Sequence, residues 1–345
     1  MNKVLILPVL LLAAPLVAQK DMITLRDGTQ INNVKVTAWT AKDIQFKGKS
    51  GSDLRLAHLV KDASIDKVRV VMNRAGTNPE VLVGAADENK KDAIIAGACL
   101  HKAAMTFYED GDIGKMMAAL QRIDTDYPNS PYAPSYYTWK IKYYLATKKT
   151  KDAAAIALKY GDASRTRPWS EAYSHDAELW EKVVNGVAGK LKGEAYATAM
   201  RETLAKSTGV APFVAHRAAV ELADAYRGGK KFAEAKKEYE KLQKLKGLGV
   251  NVRARMYLGL GHIDLEKADS SKKKEDYHDA FLNFLRVYLN AKDADPELVA
   301  EGLYHAAKSC EAWGELPSCR EMAGRLRGRL RLREPYKSTS WAKKK

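Results

Sequence analysis

The chain of 345 residues is 46% hydrophobic and 29% charged, and it carries a formal net charge of +16. This composition can fill the cores of two ordinary domains, so it excludes a chain that stays disordered on its own. Beyond residue 17 no segment is apolar for long enough to form a membrane-spanning helix, which argues against an integral helical membrane protein.

Residues 1–18 have the pattern of a secretory signal peptide. Lys3 precedes an apolar run over residues 4–17, and this run is too short to span a bilayer. Cleavage is expected after Ala18, with Ala14 as the alternative position. Because no cysteine lies near either position, no lipid anchor is expected there. The mature protein is therefore predicted to be exported and soluble, either in the periplasm or outside the cell.

Short runs of alternating apolar and polar residues fill positions 19–68. Pairs such as Val34 and Val36 are flanked by turn signals at Asp27-Gly28 and at residues 48–51. This pattern predicts four or five short strands. So small a sheet avoids open edges most easily by curling on itself. The segment resembles SH3-like or Sm-like barrels, and a small all-β barrel domain is predicted.

The alternating pattern lapses between residues 69 and 90. Gly76, Asn78-Pro79 and Gly84 follow one another closely there, and such residues interrupt helices and strands. The sequence predicts a linker over residues 69–90 and a domain boundary within it. Helices are predicted to dominate from residue 91 to residue 333.

Residues 222–242 have the spacing of two helices packed against each other, separated by Gly228-Gly229. Small and bulky residues share one face of each half. The same six offsets occur three times in the chain. The sets are Ala103, Ala104, Phe107, Met116, Leu120 and Ile123; Leu222, Ala223, Tyr226, Ala235, Tyr239 and Leu242; and Ala306, Ala307, Cys310, Cys319, Ala323 and Leu326. The pattern predicts about six helical hairpins over residues 91–333.

These hairpins resemble tetratricopeptide (TPR) repeats, which stack helix-turn-helix units into an α-solenoid. The turn Tyr127-Pro-Asn-Ser-Pro-Tyr-Ala-Pro134 is similar to turns in bacterial envelope repeat proteins, among them the outer-membrane assembly lipoprotein and the periplasmic Tol-Pal coordinator. The resemblance implies a mainly α fold and a scaffold that binds partner proteins through the concave face of a solenoid, in cell-envelope assembly or maintenance.

No set of catalytic residues is apparent in the sequence. It has no phosphate-binding loop of the Lys-Ser or Lys-Thr type, no Cys-x-x-Cys pair and no paired histidines of metalloprotease type. Gly259-Leu-Gly261 lies within a predicted helix and is interpreted as a contact between helices rather than a dinucleotide motif. None of the seven histidines lies three or four residues from another. We therefore expect no enzymatic activity, no small-molecule substrate, no cofactor and no metal.

Six aromatic residues crowd into residues 132–144, more than one buried helix stripe requires. Some of them are expected to line the concave groove and to hold a peptide segment or a sugar ring. Packing between neighbouring repeats is the competing explanation. The candidate partner-binding residues are Tyr132, Tyr136, Tyr137, Trp139 and Tyr226.

The carboxyl end is strongly basic. Residues 325–345 contain nine basic residues and one acid, a net charge of +8. The arginines alternate with other residues, which fits either the end of the last helix or an added strand, and residues 334–345 are predicted to form a flexible tail. Candidate polyanion-binding residues are Arg325, Arg327, Arg329, Arg331, Arg333, Lys343, Lys344 and Lys345. The alternative function is binding of a cell-wall polymer or a nucleic acid through this segment.

Cys310 and Cys319 occupy facing positions on the two helices of the last predicted hairpin. Packed side chains at such positions approach closely enough for a disulfide bond, which export would permit. The other interpretation is that both are small buried thiols, as Cys99 is expected to be.

Overall fold

A computed structural model describes residues 20–26, 29–49, 51–245, 247–314 and 316–330. The predicted signal peptide and the predicted tail lie outside these residues. The described chain is mainly helical and begins with a small antiparallel sheet, in agreement with the expected mainly α class. The solenoid arrangement of the hairpins stays a prediction. None of the described helices is both long and apolar enough to cross a membrane.

Five short strands form the amino-terminal sheet, in the order β4-β3-β2-β1-β5. Their bounds are β1 Asp21–Leu25, β2 Gln30–Trp39, β3 Asp43–Gly48, β4 Gly51–Leu56 and β5 Val60–Ser64. Every neighbouring pair is antiparallel, and β1 pairs with both β2 and β5. Strands β4 and β5 are therefore the outer strands of the described five-stranded sheet. The SH3-like or Sm-like barrel stays a prediction.

The alternation of apolar residues fixes which face of the sheet is buried. Ile23, Val34, Val36, Ile44 and Phe46 are all at most 5% exposed and form the core of this domain. The edge strand β4 behaves differently because Leu54 and Leu56 are exposed to solvent. Alternation thus predicted the strands correctly and did not reveal that one of them faces outward.

The predicted linker over residues 69–90 is wrong, because this segment is helical. It belongs to helices α1, Asp66–Ala75, and α2, Pro79–Glu88. Gly76 ends α1 at a positive φ of 70°, and the side chain of Asn78 accepts a hydrogen bond from the Glu80 N–H at 3.0 Å. Pro79 occupies the first turn, where its missing N–H is not needed. These apparent breaks are therefore helix boundary signals.

Twelve further helices follow within the described residues. Their bounds are α3 Ala93–Glu109, α4 Ile113–Asp126, α5 Ala133–Ala146, α6 Thr150–Thr166, α7 Ala172–Val187, α8 Gly193–Ser207, α9 Pro212–Gly228, α10 Phe232–Gln243, α11 Val250–Ser271, α12 Lys274–Asn290, α13 Pro296–Trp313 and α14 Pro317–Leu330. Consecutive helices pack against each other, and from α5 to α13 each odd-numbered helix also contacts the next odd-numbered one.

The repeated six-residue spacing marks the buried faces of these helices. In the first and third sets all six residues are at most 5% exposed, and in the second set only Tyr226 is more than 2% exposed. The interpretation of Gly259 and Gly261 as helix contacts is also confirmed. A Cβ at Gly259 would lie 2.1 Å from a ring carbon of Tyr239, and one at Gly261 would lie 2.7 Å from Phe284.

The sheet docks against connections between helices. The turn after β2 inserts Ala41, which is fully buried, between the α4–α5 and α6–α7 connections. Its N–H donates to the Asn129 carbonyl at 2.8 Å, and its carbonyl accepts from the Ser170 N–H at 3.0 Å. Trp39 lies edge-on to Tyr132, with the ring centres 5.6 Å apart. The sheet is therefore fixed to the helices through backbone hydrogen bonds as well as side chains.

Candidate functional site

A central cavity of about 650 Å³ lies among the helices. Its wall comes from α3, α4, α5, α7, α9, α11 and the start of α13, so half of the fourteen described helices contribute to it. The volume is typical of ligand-binding cavities in proteins, which mostly lie between about 300 and 1,000 Å³.

Contacts between the first helices and α13 close the cavity on one side. The hydroxyl of Tyr108 donates to the Glu297 carboxylate, and the Lys142 ammonium lies 2.9 Å from an oxygen of Asp295. Asp295 also accepts from the Asn251 amide at 2.9 Å, and its N–H donates to the Asn251 side-chain oxygen at 2.8 Å. These bonds join residues up to 189 positions apart.

Aromatic rings form much of the wall, and cations lie over two of them. The Lys142 Nζ lies 4.5 Å from the ring centre of Trp139, and the Arg217 guanidinium lies 3.4 Å from that of Trp180. Trp180 is only 4% exposed, and its indole N–H has no hydrogen-bond partner among the described residues. Buried donors are rarely left unpaired in native proteins, and the Arg217 guanidinium over the ring is the polar neighbour that this indole has.

A buried ion-pair network lies at the α9–α11 side of the cavity. Arg255 donates to Glu221 at 2.5 Å and to Asp224. The hydroxyl of Tyr196 donates to the other oxygen of Glu221 at 3.0 Å, and the hydroxyl of Tyr239 donates to Asp224. Burial raises the pKa of Glu221, but the charge and hydrogen bond of Arg255 outweigh this effect and hold the pKa below its ordinary value. The Glu221 carboxylate is thus kept ionised.

Asp176 is the most enclosed carboxylate on the wall, with 4% exposure. It accepts from the Tyr160 hydroxyl at 2.9 Å, while the Arg217 guanidinium is more distant at 3.4 Å. Burial raises the pKa of Asp176, and the opposing charge of Arg217 offsets this only in part. The cavity therefore combines apolar rings with anions and cations that largely compensate each other.

A second cavity of about 570 Å³ connects this site to the sheet. Leu25 and Arg26 line it on the sheet side, and it shares Phe213 and Arg217, among others, with the central cavity. The Arg26 guanidinium lies 5.1 Å from the ring centre of Phe213. Burial lowers the pKa of Arg26, and the charges of Tyr173 and Asp176 oppose this shift. The two cavities thus adjoin each other and run from α13 towards the sheet.

Two of the predicted partner-binding aromatics are packing residues. Tyr136 and Tyr137 are 7% and 5% exposed and lie within the hydrophobic core. The ring of Tyr137 stacks on that of Tyr160 with centres 5.2 Å apart, and its hydroxyl donates to Asp124 at 3.3 Å. The assignment of these two tyrosines to a binding surface is wrong, and they pack α5 against its neighbouring helices.

The other three candidates are at least partly accessible, and only Trp139 lines the central cavity. Tyr132 contacts Trp39 and stacks on His101. The hydroxyl of Tyr226 accepts from the Arg201 Nε at 3.2 Å. Sequence reasoning missed Trp180 and Phe213 as wall residues, because an isolated aromatic residue on a helix gives no sign of which face lines a cavity.

The basic carboxyl end is helical as far as residue 330, which favours the helix over the added strand. Arg325 lies 2.6 Å from Glu321, and Arg327 lies 3.1 Å from Glu311. The side chain of Arg329, together with Arg331, Arg333 and Lys343 to Lys345, lies outside what the structure describes.

The sulfur atoms of Cys310 and Cys319 lie 2.11 Å apart, and the Cα atoms 5.7 Å apart, as in a disulfide bond joining α13 to α14. Cys99 is a free, fully buried cysteine. Burial raises the pKa of the Cys99 thiol to about 11, so this cysteine is an inert packing residue.

A cluster of His262, Glu301 and His305 on α11 and α13 was missed by the sequence reasoning. One ligand atom from each residue lies within 4.8 Å of the others. Only the spacing of Glu301 and His305, one helical turn apart, could have signalled it in the sequence, because His262 comes 39 residues before Glu301.

Comparison with known protein families finds no family model that matches the chain, and comparison with curated proteins finds no significant match. The functional argument therefore depends on the geometry of the site.

Proposed function

We propose that this protein is a non-enzymatic scaffold in which a solenoid of TPR-like hairpins holds a segment of a partner protein in its central cavity. The observation that carries this proposal is the composition of the cavity wall, which draws on helices from α3 to α13. Binding surfaces built from successive repeats are characteristic of solenoid proteins. The contacts between alternate helices support this arrangement.

The shape of the site favours an extended chain over a compact small molecule. The central cavity and the cavity beside the sheet share four lining residues, so together they form one elongated site. A peptide segment can place an apolar or aromatic side chain against Trp139 and Trp180, which line the cavity.

The charges on the wall favour a mixed-charge segment over a polyanion. The central cavity is lined by three cations and four anions, so no strong potential of one sign attracts a polymer of the other. The competing proposal, polyanion binding by the basic carboxyl end, has less support because the described Arg325 and Arg327 each pair with a glutamate.

A substitution that fills the cavity tests the proposal. Thr138 lines the cavity wall, and its hydroxyl donates to its own helix at Ser135. We expect Thr138→Trp to weaken binding of a peptide selected from a random display library by about tenfold or more, equivalent to roughly 1.4 kcal/mol. Isothermal titration calorimetry on individual selected peptides measures this change.

Thr125→Trp is the matched control, because Thr125 also bonds to its own helix but is exposed and does not line the cavity. It should bind the peptides as the wild type does. The proposal fails if no peptide is enriched, or if both tryptophan variants bind the selected peptides equally well.

We further propose that the protein works outside the cytoplasm, in the cell envelope. The pattern of residues 1–18 supports export, and a disulfide between Cys310 and Cys319 is the kind of bond that an oxidising compartment preserves. This bond would fix α14, the last described helix, to α13, which is its main packing partner.

We expect the disulfide to raise the free energy of unfolding by about 2–3 kcal/mol, since it closes a loop between residues nine positions apart. In exported protein unfolded without reductant, mass spectrometry should find Cys99 alkylated and Cys310 and Cys319 protected. Reduction should lower the denaturation midpoint of the wild type and leave a Cys310→Ser, Cys319→Ser variant unchanged. Alkylation of all three cysteines before reduction would contradict the prediction.

A further inference from the structure

We propose that His262, Glu301 and His305 form a binding site for a divalent transition metal, with zinc as the best match. This site is separate from the central cavity, and the proposal does not depend on what that cavity binds. Two imidazoles and one carboxylate are a ligand set that zinc uses in proteins, commonly with a water molecule in the fourth position. Calcium and magnesium prefer oxygen ligands and are disfavoured by this set.

The fold brings the three side chains together from two helices. Glu301 and His305 are four residues apart on α13 and so project from the same face. Helix α11 packs directly against α13 and presents His262 to that face. The Nε2 atom of His262 lies 3.0 Å from a Glu301 oxygen, and the two imidazole ring centres lie 4.7 Å apart.

Packing holds both imidazole rings in place before any metal binds. Phe284, which is fully buried, stacks on His305 with ring centres 5.0 Å apart and meets His262 edge-on at 5.1 Å. A metal site of this kind needs ligands whose orientation is set by their surroundings. The side chains of His262 and Glu301 are 20% and 33% exposed, which leaves the cluster accessible to a solvated ion.

One polar atom in the cluster lacks a hydrogen-bond partner among the described residues. This atom is the buried Nδ1 of His305. Burying an imidazole nitrogen without a partner is unfavourable, and a bound metal with its coordinated water would supply one. The charge of Arg227 also acts on Glu301, and Arg227 pairs with Asp224 at 3.7 Å, which reduces its repulsion of a bound cation.

The site continues the inner face of the helical array. On α11, His262 follows the cavity residue Arg255 by seven positions, two turns along the same face. On α13, Glu301 follows the cavity residue Glu297 by four positions. The open coordination position of a metal bound there would face the same interior as the central cavity.

The test is zinc binding by the untagged protein after treatment with a chelator. We expect isothermal titration calorimetry to give one zinc ion per chain, and cobalt substitution to give visible absorption bands of a four-coordinate site. His305→Phe keeps a ring against Phe284 and removes one ligand, so it should weaken zinc binding by more than about tenfold. Glu301→Gln, which preserves the shape of the side chain, should do the same and serves as the second variant if His305→Phe does not fold.

His278→Gln is the matched control, because His278 is an accessible histidine on α12 outside the cluster. It should bind zinc as the wild type does. The proposal is overturned if the wild type binds no zinc at micromolar concentration, or if Glu301→Gln and His278→Gln bind it equally well.

Discussion

Replacing Arg255 by methionine should lower the free energy of unfolding at about pH 7 by roughly 3–5 kcal/mol, because the change leaves the buried carboxylate of Glu221 and the partly buried one of Asp224 without their shared cation. Glu221 is 8% exposed, and it and Asp224 both accept hydrogen bonds from the Arg255 guanidinium. Methionine preserves much of the apolar stem of the arginine, so the lower free energy of unfolding results mainly from removal of the charged guanidinium. Equilibrium denaturation in urea measures it.

The effect of this substitution should depend on pH. In the wild type the pKa of Glu221 lies below its ordinary value, so its contribution to stability is present above that value and is lost as the pH falls through the folded-state pKa. In the variant burial would raise the pKa of Glu221, and protonation at low pH would relieve the unpaired charge. The difference between the two proteins should therefore be greatest near neutral pH and shrink towards about pH 4.

Arg201→Met is the control for this experiment. Arg201 pairs with Glu194 on the surface, where both side chains are well exposed, and such pairs contribute little to stability. Its denaturation midpoint should change little at any pH. A loss of less than about 1 kcal/mol for Arg255→Met at neutral pH would show that water or another cation compensates the carboxylates.

Local periodicity is sufficient to locate the packed faces of the helices. The offsets that join Ala103 to Ile123, and Ala306 to Leu326, depend only on the 3.6-residue helical turn and on the need for small residues where two helices touch. All of these positions are buried. The same reasoning correctly predicts that Gly259 and Gly261 are contact positions between helices.

The wrong predictions concern sequence patterns that occur in two structural contexts. Asn78-Pro79 interrupts a chain in one context and begins a helix in another, and here Asn78 caps α2. The assignment of Tyr136 and Tyr137 to a binding surface fails because an aromatic-rich helix does not disclose which rings face its neighbours. The core position of Tyr137 depends on Tyr160, a residue of the next helix.

The parts of the site that depend on long-range contacts could not be predicted. The hydrogen bond between Tyr108 and Glu297 joins residues 189 positions apart, and the metal-site candidate joins His262 to Glu301 across 39 positions. Such pairs depend on how helices far apart in the sequence pack together, and local periodicity does not encode this packing. The sequence therefore predicts the units of this structure better than the cavity that they enclose.

Gly259→Ala is expected to lower the free energy of unfolding by roughly 2–4 kcal/mol, although it adds a single methyl group. The new Cβ would lie 2.1 Å from Cζ and 2.3 Å from Oη of Tyr239, a fully buried ring that cannot withdraw into solvent. Moving this ring would also weaken the hydrogen bond from Tyr239 to Asp224.

Gly84→Ala provides the opposite expectation for the same chemical change. Gly84 lies on α2 with nothing within 4 Å of an added Cβ, so alanine should raise stability there by about 0.5–1 kcal/mol through its greater helix propensity. Both variants are compared by urea denaturation.

The effects of Gly259→Ala and Arg255→Met should be coupled. Because Tyr239 and Arg255 share Asp224 as their acceptor, the stability lost in the double variant should be less than the sum of the two single losses. A Gly259→Ala protein as stable as the wild type would mean that α10 and α11 separate easily and that the close contact at Gly259 does not fix their spacing. Full additivity would mean that the two sites are not coupled through Asp224.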